Sequence, residues 1–285
     1  MDYKGLYNNI KRKRSFLCIG LDTNPALLPS FMEGVRYPLF EYNKAIIDAT
    51  HHLAVAYKPN LAFYEAEGHI GWLQFEMTVN YIREKDPTLF IIADAKRGDI
   101  GNTAERYAQA FFVKADCDAV TLAPYMGKDS VAPFLAFKGK WAVVLALTSN
   151  PSAADFEMES LALKDNDVSQ GGTPLYKRVI ERSMEWGTPE NTMFVVGATR
   201  PDKLAEIREY CPDNFFLVPG VGAQGGSVSE VAKYGMNSHC GLLVNVSRDI
   251  LFAWKKQDSP YSEHEYAKAA SAAAEAVAKE MSLYL

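Results

Sequence analysis

Along the chain, short apolar runs alternate with longer stretches whose apolar positions recur at helical spacing, the pattern of a parallel sheet covered by helices. Eight such runs stand out, at residues 16–21, 54–58, 89–94, 119–123, 141–147, 193–198, 215–218 and 241–246. Several are apolar almost throughout, as strands buried on both faces must be. Helical patterns such as 38–52 and 201–210 lie between them, and the Ala-rich stretch 262–281 reads as a closing helix. Eight strand–helix units, with no repeat or low-complexity linker dividing them, predict an α/β fold: a single-domain (β/α)8 TIM barrel spanning residues 1–285. Two connections are irregular. The polar stretch 149–173, containing Gly171 and Gly172, and the glycine-rich stretch 219–227 both follow strands, which puts them on the loop face where barrels keep their chemistry.

Composition narrows the class of partner. With 48% hydrophobic and 23% charged residues the chain is an ordinary globular one, and its net charge of −5 argues against nucleic acid or an anionic membrane surface as a partner. Any phosphate must then be met by a local site. The basic run Lys11, Arg12, Lys13 and Arg14 reads as a solvated helix end ahead of the first strand. Cys18, Cys117, Cys211 and Cys240 are far apart, without a Cys-x-x-Cys pair, so buried reduced thiols are expected. No stretch has the length of a membrane span or the form of a cleaved leader, and cytoplasmic residence is the expectation.

The candidate chemistry lies where the apolar runs end. Strand one ends in Gly20-Leu21-Asp22, strand two in Tyr57-Lys58-Pro59, strand three in Asp94-Ala95-Lys96, strand five in Thr148-Ser149-Asn150, strand seven in Pro219-Gly220-Val221-Gly222 and strand eight in Ser247-Arg248-Asp249. Asp94 and Lys96, two apart on an extended chain, should point to the same side, the barrel interior. Asp99 and Thr103, four apart at the start of a helix, share one side of it, although Asp99 has a second reading as that helix's cap. Asp94, Asp99, Lys58 and Lys96 at one mouth are costly to desolvate unless they pair, and in alternation they keep one another ionised. Such an array suits a reaction in which negative charge builds on one atom and is then protonated by Lys96. The glycine-rich loop after strand seven, with Arg248 after strand eight, stands where barrels commonly hold phosphate. The five histidines show no metal spacing, and no Gly-x-Ser-x-Gly elbow surrounds Ser149.

Asp94-Ala-Lys96-Arg-Gly-Asp99-Ile100 resembles the Asp-x-Lys-x-x-Asp signature of the orotidine 5′-phosphate decarboxylase family. Asp22, Lys58, Ser149, Val196-Gly-Ala-Thr199, Pro219-Gly-Val-Gly222, Gln224 and Arg248 fall in that family's order over nearly the whole chain. The resemblance implies cofactor-free and metal-free decarboxylation of orotidine 5′-phosphate to uridine 5′-phosphate in pyrimidine biosynthesis. Lys96 would stabilise and protonate a C6 carbanion, Asp94 would lie beside the leaving carboxylate, and Lys58 would contact the ribose and tie Asp94 into the array. It also implies a homodimer in which Asp99, Ile100 and Thr103 reach into the neighbour's site, Ser149 bonds the pyrimidine edge, Asp22 the ribose, and Pro219, Gln224 and Arg248 serve the phosphate end. The long insert after Ser149 resembles a longer bacterial subgroup, and Ser247-Arg248 replaces the Gly-Arg of compact members. The rival reading is a Mg²⁺-dependent sugar-phosphate decarboxylase or aldolase on the same frame; those enzymes place an acidic ligand at the end of strand two, where this chain has Lys58.

Overall fold

The computed structural model describes residues 1–161, 172–222 and 225–285. Its barrel strands are β1 (Leu17–Leu21), β2 (Ala56–Pro59), β3 (Phe90–Arg97), β4 (Ala119–Leu122), β5 (Trp141–Leu147), β6 (Thr192–Val196), β7 (Phe216–Pro219) and β8 (Leu242–Val246). All pair in parallel, each with its neighbours in sequence, and β8 returns to β1 with Val244 opposite Leu17, so the barrel is closed and has no free edge. Each strand falls on one of the eight apolar runs. Most bounds move by one or two residues, but β3 runs on to Arg97, beyond the expected end at residue 94.

Helices cover the barrel because each offers a stripe of apolar residues. In Pro38–Thr50 the buried positions are Leu39, Tyr42, Asn43, Ile46, Ile47 and Thr50, spaced three or four apart, and Pro38 occupies the first turn, where its missing N–H costs nothing. Burying an Ile or Leu such as Ile46 or Leu39 contributes about 1.5–3 kcal/mol each. The closing helix is Tyr266–Met281, preceded by a capping box between Ser262 and Glu265. At the barrel's far end, helix Tyr3–Lys13 precedes β1. Here the reading of a solvated basic run needs correction: Lys13 is tucked in, donating to Asp86 at 2.9 Å and to the carbonyls of His51 and Ala54. The four thiols are all buried and unbridged.

Strand polarity puts Asp22, Lys58, Asp94, Ser149, Pro219 and Arg248 at one mouth, just past or within the C-terminal ends of their strands. Among the described residues, no helix is long and apolar enough to cross a membrane.

Candidate active site

Lys58 and Asp94 form the floor of this mouth. Both are almost fully buried, at 4% and 8% exposure, and the Lys58 ammonium donates to Asp94 Oδ2 at 2.7 Å. Lys96 donates to the other oxygen, Oδ1, at 2.6 Å, while its side chain stays half exposed toward the opening. Asp22 Oδ1 stands 3.8 Å from the Lys58 ammonium, buried and without a hydrogen bond among the described residues. The array therefore alternates Asp22, Lys58, Asp94 and Lys96.

Electrostatics fixes its protonation. Burial alone would push the Asp94 carboxyl up, but Lys58 and Lys96 outweigh it and hold the group well below the usual carboxylate range. For Lys58, burial would favour the neutral amine; Asp94 and Asp22 outweigh that and hold it above the usual lysine range. Each ion is affordable only because of the others, since a single unpaired charge at this depth costs several kcal/mol.

The meeting of Asp94 and Lys96 was expected from a regular extended chain, and the local geometry differs. Between the pairs Ala93↔Val120 and Arg97↔Leu122 the ladder shifts, so that three residues of β3 (94, 95 and 96) oppose the single Thr121 of β4. Lys96 takes a left-handed backbone, φ 45°, a conformation costing about 1–3 kcal/mol outside glycine. Its N–H donates to Thr121 Oγ1 at 2.9 Å, and the same hydroxyl donates to Asp94 Oδ1 at 2.9 Å. Thr121 was not among the residues expected at the site, although it is the one hydroxyl in the apolar run 119–123.

Asp99 does not join this array within the chain. Its carboxylate accepts from the Ile100 N–H at 2.7 Å and has no other partner among the described residues. Nor does it cap the following helix: Gly101–Gln109 has Ile100 at its N-cap position, with no side-chain cap. Ile100 is half exposed and Thr103 exposed, on the outer side of the helix start.

Ser149 lies on the corner after β5, which is braced from two sides. Glu157 accepts from the Thr148 N–H at 2.7 Å and from the Thr148 hydroxyl at 2.9 Å. Gly197 closes in from β6 so tightly that a Cβ there would sit 2.8 Å from the Ser149 Cα and N, which requires a glycine. Glu157 belongs to the insert, whose described part is a turn at Pro151–Asp155 and a short antiparallel pair, Ser160–Leu161 with Thr173–Pro174. Sequence reading overlooked it, because a lone acid in a polar loop carries no signal of what it will meet.

After β7, Gly220 and Gly222 adopt left-handed backbone, φ 99° and 83°; a Cβ on Gly222 would also come within 2.3 Å of Asp249 Oδ2. The loop is thus packed against the turn that carries Arg248. Asp249 pairs with Lys256 at 3.0 Å, whereas Arg248 is exposed and its guanidinium has no partner among the described residues. Gln224 lies outside the described residues.

Known proteins resemble this chain over most of its length. Residues 15–259 match the model of the orotidine 5′-phosphate decarboxylase / HUMPS family. The chain is 51% identical over 281 residues to orotidine 5′-phosphate decarboxylase of Bacteroides fragilis, covering 99% of this chain and 97% of the relative. Among solved structures it resembles Leishmania donovani OMP decarboxylase (33% identity, TM-score 0.79, 100% of this chain and 98% of that one). It also resembles L. donovani UMP synthase (35% identity, TM-score 0.80, 99% of this chain), where it spans only 56% of the longer protein. With the match covering most of its length and the charged mouth intact, the chain belongs to the orotidine 5′-phosphate decarboxylase / HUMPS family.

Proposed function

We propose that this chain decarboxylates orotidine 5′-phosphate to uridine 5′-phosphate, and that the array of Asp22, Lys58, Asp94 and Lys96 carries the chemistry. One observation supports the assignment above the rest: the Lys96 ammonium faces the mouth half exposed while its counter-ion Asp94 is buried beneath it. The substrate carboxylate would lie against this array. The bond from C6 to the carboxylate carbon breaks, its electron pair stays on C6, and CO₂ leaves. The Lys96 ammonium stabilises that developing charge and transfers a proton to C6; the amine then regains a proton from solvent.

The remaining groups bind and align. Asp22 Oδ1, without a hydrogen bond among the described residues, is suited to accept from a ribose hydroxyl, with Lys58 beside it, and Ser149 to meet the pyrimidine edge. Arg248 and the backbone of Pro219–Gly222, with Gln224, serve the phosphate. Asp99, half-buried and outside the array of its own chain, with the exposed Ile100 and Thr103, is suited to complete the site of a second copy in a homodimer. The assignment to a single domain over residues 1–285 belongs to the same proposal, as does cytoplasmic residence, which the four buried, unbridged thiols support.

The Mg²⁺-dependent alternative is disfavoured because a built-in cation, the Lys58 ammonium, already lies between Asp22 and Asp94, where a metal-binding relative would need an acid. Following pyrimidine absorbance during incubation with orotidine 5′-phosphate and a chelator tests both points. Full turnover in chelator is expected. An unchanged spectrum overturns the decarboxylase assignment, and loss of turnover restored by Mg²⁺ overturns the metal-free one.

A further inference from the structure

We infer that Thr121, on β4, is a positioning residue for the decarboxylation: its hydroxyl sets both the Asp94 carboxylate and the backbone from which Lys96 projects. The inference rests on the roles assigned above to Asp94 and Lys96 and adds to them a third side chain from a different strand.

The bulge in β3 raises a problem of accounting. Three residues standing against one cannot all be paired by the neighbouring strand, and Lys96 in addition has left-handed backbone. Its N–H is therefore turned away from ordinary ladder bonding and needs an acceptor. Thr121 is the one residue opposite the bulge, and its hydroxyl supplies that acceptor at 2.9 Å.

A hydroxyl has one proton to give and lone pairs to receive. Here the lone pair takes the Lys96 N–H, and the proton goes to Asp94 Oδ1 at 2.9 Å. Asp94 Oδ1 is also the oxygen that receives the Lys96 ammonium, at 2.6 Å. One atom of Thr121 thus ties the two ends of Lys96, its main chain directly and its side chain through Asp94, into a closed loop. Thr121 is 1% exposed, so neither bond can be replaced by bulk solvent. Without the hydroxyl, the Asp94 plane is free to turn about one fewer constraint, and the left-handed turn loses the bond that compensates its strain. The ammonium then wanders from the position where charge develops, and displacement of about 1 Å at a reacting group costs about a hundredfold in rate.

Valine matches threonine in shape without the hydroxyl, and serine keeps the hydroxyl with less bulk. Thr121→Val should lower kcat about a hundredfold, with KM and the affinity for uridine 5′-phosphate within about twofold of wild type, since the binding groups lie elsewhere. Thr121→Ser should retain kcat within about threefold, because both hydrogen bonds survive. A Thr121→Val enzyme with wild-type kcat overturns the inference. So does a Thr121→Ser enzyme whose kcat falls about a hundredfold, a test that needs only the wild-type protein beside it and so stands even if valine prevents folding. Lys96→Ala, assayed alongside, separates the two levels: if it stays active the roles given to the array fail, and if it is dead while Thr121→Val is normal only Thr121 is dismissed.

Discussion

The two sides of the barrel mouth are built on opposite plans. On the β1–β4 side the protein itself supplies the counter-charges at the centre of the array: Lys58 and Asp94 are buried and paired, and Lys96 is held through Asp94 and Thr121. On the β7–β8 side the cation is left open, with Arg248 exposed and, among the described residues, unpartnered beside a loop of left-handed glycines. The difference fits the roles proposed for the two sides. Charges that meet a developing carbanion act best when fixed in advance, so the desolvation of burying them is met by mutual pairing. A group that binds a distant phosphate can remain in water until the ligand arrives, and the energy then released is available to align the reacting end.

The contrast can be broken most severely at Lys96. Lys96→Ala should reduce turnover on the order of 10⁴-fold or more, since it removes both the proposed proton donor and the positive charge nearest the opening. The thermal midpoint should fall less than in a Lys58 variant, because the Lys96 side chain is half exposed and Lys58 still pairs the buried Asp94. Absorbance kinetics and a melting curve check both halves of that statement.

Lys58→Ala attacks the buried pair instead, leaving Asp94 at depth with one counter-ion. A stability loss of about 3 kcal/mol is expected in urea unfolding, with turnover down about 10²–10³-fold. The pH dependence of the stability term has a definite sign. Asp94 is depressed in the fold, so its contribution is present above the ordinary carboxylate value of about 4 and fades only as pH falls through the lower folded value. Lys58 is raised, so its contribution is full below the ordinary lysine value of about 10.4 and is lost only as pH rises through the higher folded value. The difference between wild type and variant should thus be flat from about pH 5 to 9. A slope within that window would mean that the pair is not ionised as described.

Asp99 belongs to neither plan within its own chain, and a mixing experiment asks whether it serves another. Inactive Lys96→Ala and Asp99→Ala subunits, reassorted together, should recover about a quarter of wild-type activity if dimers share sites and associate at random. No recovery with mixed dimers present would remove Asp99 from the neighbour's site. On the open side, Arg248→Ala should raise KM about 10- to 100-fold with a smaller change in kcat, the value of a charge-assisted bond to phosphate. The smallest effect is expected at Glu157: replacement by Gln keeps the shape but weakens the clamp on Thr148, and KM should rise by about threefold to tenfold. A larger loss at Glu157 than at Arg248 would invert the ranking of the two regions.

How much of this was legible in the sequence depends on how local the cause is. The eight strands were, because strands buried on both faces must be apolar throughout and few other elements are. Asp22, Lys58, Asp94 and Lys96 were as well, because ions at the ends of apolar runs have little structural reason to be there. The way Lys96 reaches Asp94 was not: a bulge depends on the register between β3 and β4, which neither strand records by itself. Thr121 and Glu157 were overlooked for a related reason, since each acts on a residue brought near by the fold, 25 positions away for Thr121 and 9 for Glu157. The reading of Asp99 as a helix cap was a fair inference from residue type, undone by a helix that begins after Ile100.

Lys96 as the proton donor to C6 can be tested without decarboxylation, because the same transfer must run in reverse on the product. With uridine 5′-phosphate in D₂O, proton NMR should show the enzyme replacing the hydrogen at C6 by deuterium, and Lys96→Ala should leave that signal at full intensity. Exchange by Lys96→Ala as fast as by the wild-type protein would contradict the role given to this ammonium.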